Sequence, residues 1–257
     1  MSLLRRAVLA LAATGLTFAV AALPAAAEDA RPLTKPEIEK IVHDYLVQNP
    51  QILREMSDAL QAKDQAEAQT RRAKVFADER YAIFHGPGDA VVGNPKGDVT
   101  VVEFFDYNCP YCRHALDDTN ALLKSDPNLR FVLKEFPVLT PGSREAAKVA
   151  LAVVHEAPGK YLAFHRELLG SGQPVDGDAA LKVAEKLGIS KARIAADLAT
   201  PVTQTPIDNT MKLASELSID GTPTYIVGNT VMPGAVGLDA LKTAVANMRA
   251  CGKAVCS

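Results

Sequence analysis

Val99-Thr-Val-Val-Glu-Phe-Phe-Asp-Tyr107 runs almost directly into Cys109-Pro-Tyr-Cys112, and that junction limits what the chain can fold into. A short apolar run rich in β-branched and aromatic residues reads as a strand buried on both faces, so layers must cover it on each side. Pro110 suits the first turn of a helix, where its missing N–H would have had no partner. The pattern therefore predicts strand, tight turn and helix, with two thiols at the helix start. Unpaired amides and the positive end of the helix dipole favour a thiolate at that point. Such placement lowers a cysteine pKa from about 8.5 into roughly the 3.5–7.5 range. Cys109 is then expected to be the exposed nucleophile, and Cys112 the resolving thiol that releases a mixed disulphide. A stable staple and half of a metal site are the alternatives. Cys251, Cys256 and His114 keep the metal reading open, since zinc needs a second ligand pair.

The start of the chain points to export. Arg5 and Arg6, an uncharged apolar stretch from Ala7, and Ala25-Ala-Ala27 before Glu28 have the order of a cleaved secretory signal, here residues 1–27. An uncleaved anchor is the rival, because an apolar stretch of about 20 residues spans a bilayer. Removing residues 1–27 takes away two arginines and no acid, so the formal charge moves from −2 to −4. No clustered Lys and Arg suggest a nucleic-acid surface. All four cysteines lie after the signal, where an oxidising compartment permits disulphides. Cys251 and Cys256, five residues apart, are expected to close a short tail disulphide, with a second reactive dithiol or a metal clip as alternatives.

Between these landmarks the elements follow from periodicity and breakers. Ile38, Ile41, Val42, Tyr45 and Leu46 recur at helical spacing after Thr34 and Pro36, and Asn49-Pro50 should break that helix. A second helix carries Ile52, Leu53, Met56 and Leu60 before turning polar toward Arg72. This stripe has no evident cover, and residues 33–72 are read as a candidate seam for self-association. Val91-Val92 is an expected edge strand, Leu129–Phe136 a second central strand, and 143–217 a helical block whose last helix begins at Pro206. Thr224–Val227 and Thr230–Met232 form a hairpin, followed by a helix over Leu238–Met248. The order strand, helix, strand, helical block, hairpin, helix describes an α/β layer with an inserted helical subdomain. The divisions are an N-terminal helical extension at 28–85, an α/β domain at 86–140 and 218–257, and the insert at 141–217.

Thr222-Pro223 enters a strand behind Gly221, a position where a cis proline is possible. Together, Glu103-Phe-Phe-Asp-Tyr-Asn-Cys-Pro-Tyr-Cys112, Lys134-Glu-Phe-Pro-Val138, the helical insert and Gly221-Thr-Pro-Thr224 resemble the DsbA-like thiol–disulphide oxidoreductases, over about residues 88–250. The resemblance implies a thioredoxin fold interrupted by a helical domain. It implies that Cys109 and Cys112 are the redox pair and that Pro223, with Thr222 before it, is the cis-proline facing them. It also places a buried acid at Glu103, able to take the proton of the resolving thiol, and at Lys134 a neighbouring lysine that limits the cost of burying that acid.

Pro110 and Tyr111 separate the thiols where the strongly oxidising members carry Pro-His. Tyrosine cannot give the thiolate cationic support, so a less oxidising couple is expected. The spacer and the helical extension together resemble the oligomeric, isomerase-type members related to the suppressor-of-copper-sensitivity proteins. The implied setting is periplasmic, with unfolded or misfolded exported proteins as clients, a membrane redox partner, and no organic cofactor or metal. Competing readings are a thiol chaperone for Cu(I), which soft thiolates favour, a monomeric oxidase, and a binding module whose dithiol only stabilises the fold.

Overall fold

In the computed structural model of the protein, residues 31–256 are described. The expected signal peptide lies outside them. The chain divides into two compact units at Ser57/Asp58.

In the first unit, α1 (Lys35–Gln48) has a proline in its opening turn, and the Glu37 carboxylate accepts the Thr34 N–H at 2.9 Å. The Asn49 backbone N–H and side-chain amide both donate to the Tyr45 carbonyl, at 2.9 and 2.8 Å, which ends the helix at Asn49-Pro50. α1 buries no residue, and Ile38, Ile41, Val42 and Tyr45 are all exposed. α2 spans Gln51–Asp78, six residues beyond the expected polar stretch, and Leu53 and Met56 are exposed on it.

The second unit is built on a five-stranded sheet of order β1-β3-β2-β4-β5: β1 (Ala90–Gly93), β2 (Val99–Phe105), β3 (Leu129–Glu135), β4 (Thr224–Val227) and β5 (Thr230–Pro233). β2 lies at the centre, parallel to β3 and antiparallel to β4, with β1 as an edge strand. Side chains alternate between the two faces of a strand. Val99, Val101 and Phe105 therefore join the core made with α4 (Pro110–Ser125) and α10 (Leu238–Cys251), while Val102 and Phe104 join the core on the other face. Each fully buried aliphatic or aromatic side chain of this kind contributes on the order of 1.5–3 kcal/mol, so β2 is firmly packed on both faces where it leads into the dithiol.

The insert between β3 and β4 is helical throughout: α5 (Pro141–Glu156), α6 (Tyr161–Gly170), α7 (Gly177–Lys186), α8 (Lys191–Leu198) and α9 (Pro201–Glu216). α9 starts five residues before the expected Pro206, because Thr200 caps it by accepting the Val202 N–H and Pro201 fills its first turn. The β4–β5 turn needs glycine at position 228, where φ is +60° and a Cβ would stand 2.6 Å from the Met248 sulphur.

The extension expected over 28–85 does not keep to itself. Phe76 at the end of α2, with Ile83 and Phe84 on α3 (Arg80–His85), is buried against Val102, Phe104, Val132 and Phe136. These three apolar side chains cover the second face of the sheet, so the last turns of the predicted extension are core.

Candidate active site

α4 begins where β2 ends, and Cys109 is its N-cap. The Cys112 N–H points at the Cys109 sulphur at 3.4 Å, and Pro110 occupies the first turn. The thiols are free, and both are buried: Cys112 is fully enclosed and Cys109 is only 3% exposed. The expected exposed nucleophile is thus covered. The loop before β4 lies over it, and the Cys109 thiol donates to the Thr222 carbonyl at 3.2 Å. The Thr222–Pro223 peptide is cis. Pro110 and Tyr111, between the thiols, are the exposed members of the motif. His114 is turned away, with its Nδ1 2.9 Å from the Pro110 carbonyl.

The two sulphurs differ sharply in acidity. A hydrogen bond from the Cys112 thiol, aided by the Thr222 side chain and the amides of Cys112 and Tyr111, brings Cys109 down to about 6 against the cost of burial. Burial pushes Cys112 far above the usual thiol range, with Cys109 and Glu103 adding to it. At neutral pH these shifts favour the thiolate at Cys109 and the thiol at Cys112.

Glu103 is that candidate base. It is buried on the α4 face of β2 and accepts hydrogen bonds from Thr119 Oγ1 at 3.3 Å and Tyr225 Oη at 3.4 Å. Thr119 lies two turns along α4 from Cys112, on the same buried face. Burial raises the Glu103 carboxyl to about 8, the two hydrogen bonds oppose the rise, and Cys109 adds to it.

Lys134 does not serve Glu103, and here the expectation is corrected. In the β2–β3 register Glu103 lies beside Leu133, whereas Lys134 lies beside Phe104, which places it on the opposite face of the sheet. There Lys134 Nζ donates to both Asp89 carboxylate oxygens at 2.8 Å and to the Ala82 carbonyl at 2.9 Å. Arg130 Nη1 donates to the Phe84 carbonyl at 2.7 Å, so both cations anchor α3 to β3. Burial pushes Asp89 up and Lys134 down, and their mutual hydrogen bonds resist both shifts. Lys134→Met is therefore expected to cost about 3 kcal/mol of stability by stranding the Asp89 charge, while leaving the pH at which Cys109 ionises unchanged. Thermal unfolding and thiolate absorbance check the two halves. A shifted Cys109 midpoint without loss of stability would return Lys134 to the Glu103 side.

Three residues before the dithiol escaped the sequence reading. Asp106 accepts the Asn108 N–H at 2.8 Å and the Leu139 N–H at 3.0 Å. Tyr107 donates to Glu135 at 3.2 Å, as Tyr161 of α6 does at 3.0 Å, and burial keeps the Glu135 carboxyl well above the usual range. Asn108 hydrogen-bonds Val175 in the insert. The signal was the polar run Asp106-Tyr-Asn108 placed straight after an apolar strand.

Cys251 and Cys256 form a disulphide. It belongs to the far end of the sheet from the dithiol, because Arg249 in the same turn of α10 bonds Asp98, before β2, and Asp126, the C-cap of α4. The 16-residue α4, about 24 Å long at 1.5 Å per residue, runs from the dithiol to Asp126 at the end that Arg249 binds. The four cysteines therefore cannot share one metal site. Among the described residues one other cluster, His155, Glu156 and Asp197, has candidate ligand atoms within 4.8 Å of one another, but Arg193 already occupies Glu156 at 2.8 Å.

A family model described as "DSBA-like thioredoxin domain" matches residues 100–246, from β2 through the insert into α10. A second, "Copper resistance protein ScsC N-terminal domain", matches residues 35–67. A thioredoxin-like oxidoreductase from Silicibacter pomeroyi DSS-3 is 41% identical, with a TM-score of 0.63 over 66% of this chain and 98% of that one. Proteus mirabilis ScsC in a compact conformation is 29% identical, with a TM-score of 0.65 over 84% of this chain and 98% of that one. The Na(+)/H(+) antiporter NhaA 3 of Salinispora tropica is 30% identical over 159 residues, which are 61% of this chain and 24% of the antiporter. The chain thus spans about a quarter of the length of that curated relative.

Proposed function

The chain belongs to the DSBA-like thioredoxin family, and from that premise we propose that it forms, reduces or isomerises disulphides in exported proteins through Cys109 and Cys112. The opposed acidities of the two thiols at one helix start carry this reading. The Cys109 thiolate attacks one sulphur of a client disulphide, the client S–S bond breaks, and the other client sulphur leaves as a thiolate. Glu103 takes the Cys112 proton, and Cys112 then displaces the client from Cys109. The client leaves reduced by two electrons and Cys109–Cys112 is left as the disulphide. In isomerisation the client's own freed thiolate displaces Cys109 instead, and no net electrons move.

Clients bind as extended chains beside Thr222 and Pro223, next to the Cys109 sulphur. The couple carries its electrons on sulphur alone, without metal or organic cofactor, and a membrane redox partner resets it. The apolar and charged order of residues 1–27 supports work in the periplasm.

The isomerase direction rests on the Pro110-Tyr111 spacer and on the likeness of residues 35–67 to the ScsC N-terminal domain. The exposed stripe of α1 supports self-association through residues 33–72, which sets several dithiols around one client. Ile41→Asp with Tyr45→Asp is expected to reduce the mass in solution to one protomer. Reactivation of scrambled protein should drop several-fold, with Cys109 ionisation unmoved. A wild-type monomer that only oxidises would overturn the isomerase reading. Stoichiometric Cu(I) binding without turnover of scrambled disulphides would favour the chaperone reading instead.

A further inference from the structure

The turn that carries Cys109 is tied to the insert by the side chain just before it. Asn108 Oδ1 accepts the Val175 N–H at 2.7 Å, and Asn108 Nδ2 donates toward the Val175 carbonyl at 2.8 Å. The amide thus pairs with both backbone groups of one residue, as a neighbouring strand would. Nδ2 also lies 3.0 Å from Ser143 Oγ and 3.2 Å from Thr140 Oγ1, at the start of α5. On the other side, the Asn108 N–H donates to Asp106 Oδ1, and the Cys109 N–H to the Asp106 carbonyl at 3.0 Å. Only a side chain with an acceptor and two donors at this reach meets all these groups; alanine meets none, and aspartate would set an acceptor against the Val175 carbonyl.

We infer that Asn108 is a positioning residue for the dithiol, locking the turn against the insert so that the α4 amides stay aimed at the Cys109 sulphur. The inference rests on the proposed role of Cys109 as nucleophile. The Cys112 N–H donates to that sulphur at 3.4 Å, a contact whose geometry is set by where the turn holds Cys109. The insert is thereby more than a cover over the sheet. It sets the acidity of a thiol in the domain it interrupts.

The test is thiolate absorbance of the reduced protein against pH, with thermal unfolding and amide exchange at Val175 as companions. Asn108→Ala is expected to raise the Cys109 midpoint by about one unit, a tenfold smaller thiolate fraction at a pH below both midpoints. Val175 amide exchange should quicken at least about tenfold as its partner is lost. Ser143→Ala, which removes one acceptor and leaves the Val175 pair, should move the midpoint the same way by less. A loss of stability in Asn108→Ala with an unmoved midpoint would reduce Asn108 to a structural residue and overturn the inference. If Asn108→Ala does not fold, an unmoved midpoint in Ser143→Ala overturns it. A wild-type midpoint in the ordinary cysteine range would strike instead at the proposed function, because Cys109 would then be no activated nucleophile.

Discussion

Cys109→Ser is expected to end thiol exchange, with insulin reduction and reactivation of scrambled protein both falling by on the order of 10³-fold or more. The size follows from what is lost. A cysteine at about 6 is roughly nine-tenths thiolate at pH 7, whereas a serine hydroxyl there has no comparable anion. Cys112→Ser should act differently. It leaves the attack intact and removes the resolving sulphur, so client–Cys109 mixed disulphides should accumulate and be visible by mass after acid quenching. The wild-type rate of the attack step should climb as pH rises through about 6 and then level off. Stability of the reduced protein follows the same group. Its depressed pKa contributes stability present above the unfolded thiol's value and lost as pH falls through about 6. If Cys109→Ser still reduces insulin, the nucleophile lies elsewhere and the assignment fails.

How far the sequence reached depends on which forces were local. β2, α4 and the hairpin were legible because burial and breakers write themselves into a few consecutive residues: a near-continuous apolar strand, a proline in a first turn, a glycine in a tight one. Glu103 came from the family resemblance, and its apolar neighbours in β2 argued for its burial. Lys134 was misread because its partner depends on strand register, and a shift of one place along β3 moves a side chain to the other face. Asp89, the partner it found, is 45 residues away. The extension was drawn too long because Phe76, Ile83 and Phe84 make a weak helical pattern alone, and only the bare second face of the sheet explains them. Asn108 was marked only by its place in the polar run after β2. Its meaning comes from Val175, 67 residues further on, which nothing in local spacing could indicate.

Glu103→Gln should separate catalysis from folding in opposite directions. The carboxyl sits at about 8 in the folded protein, raised chiefly by burial from an ordinary value near 4.5. The folded state therefore holds a proton that the unfolded chain gives up, and stability falls as pH rises between those two values. Three to four units at 1.36 kcal/mol each give a penalty of about 4–5 kcal/mol by pH 8.5, all of it absent at pH 4. Glutamine has nothing to ionise, and the Thr119 and Tyr225 hydroxyls can turn to meet its amide. The variant should thus match the wild type near pH 4–5 and exceed it in unfolding free energy by that margin at pH 8.5, read by denaturant titration at each pH. Resolution should suffer over the same range. With no base beneath Cys112, release of a mixed disulphide is expected to slow by about 10²-fold at pH 8.5. The deficit should shrink toward pH 6, where the wild-type carboxyl is itself protonated. A charge kept in the core at the expense of stability, and worth keeping only above the pH where it ionises, is what a resolving base should look like. Stability curves that run parallel across the whole pH range would deny Glu103 that role.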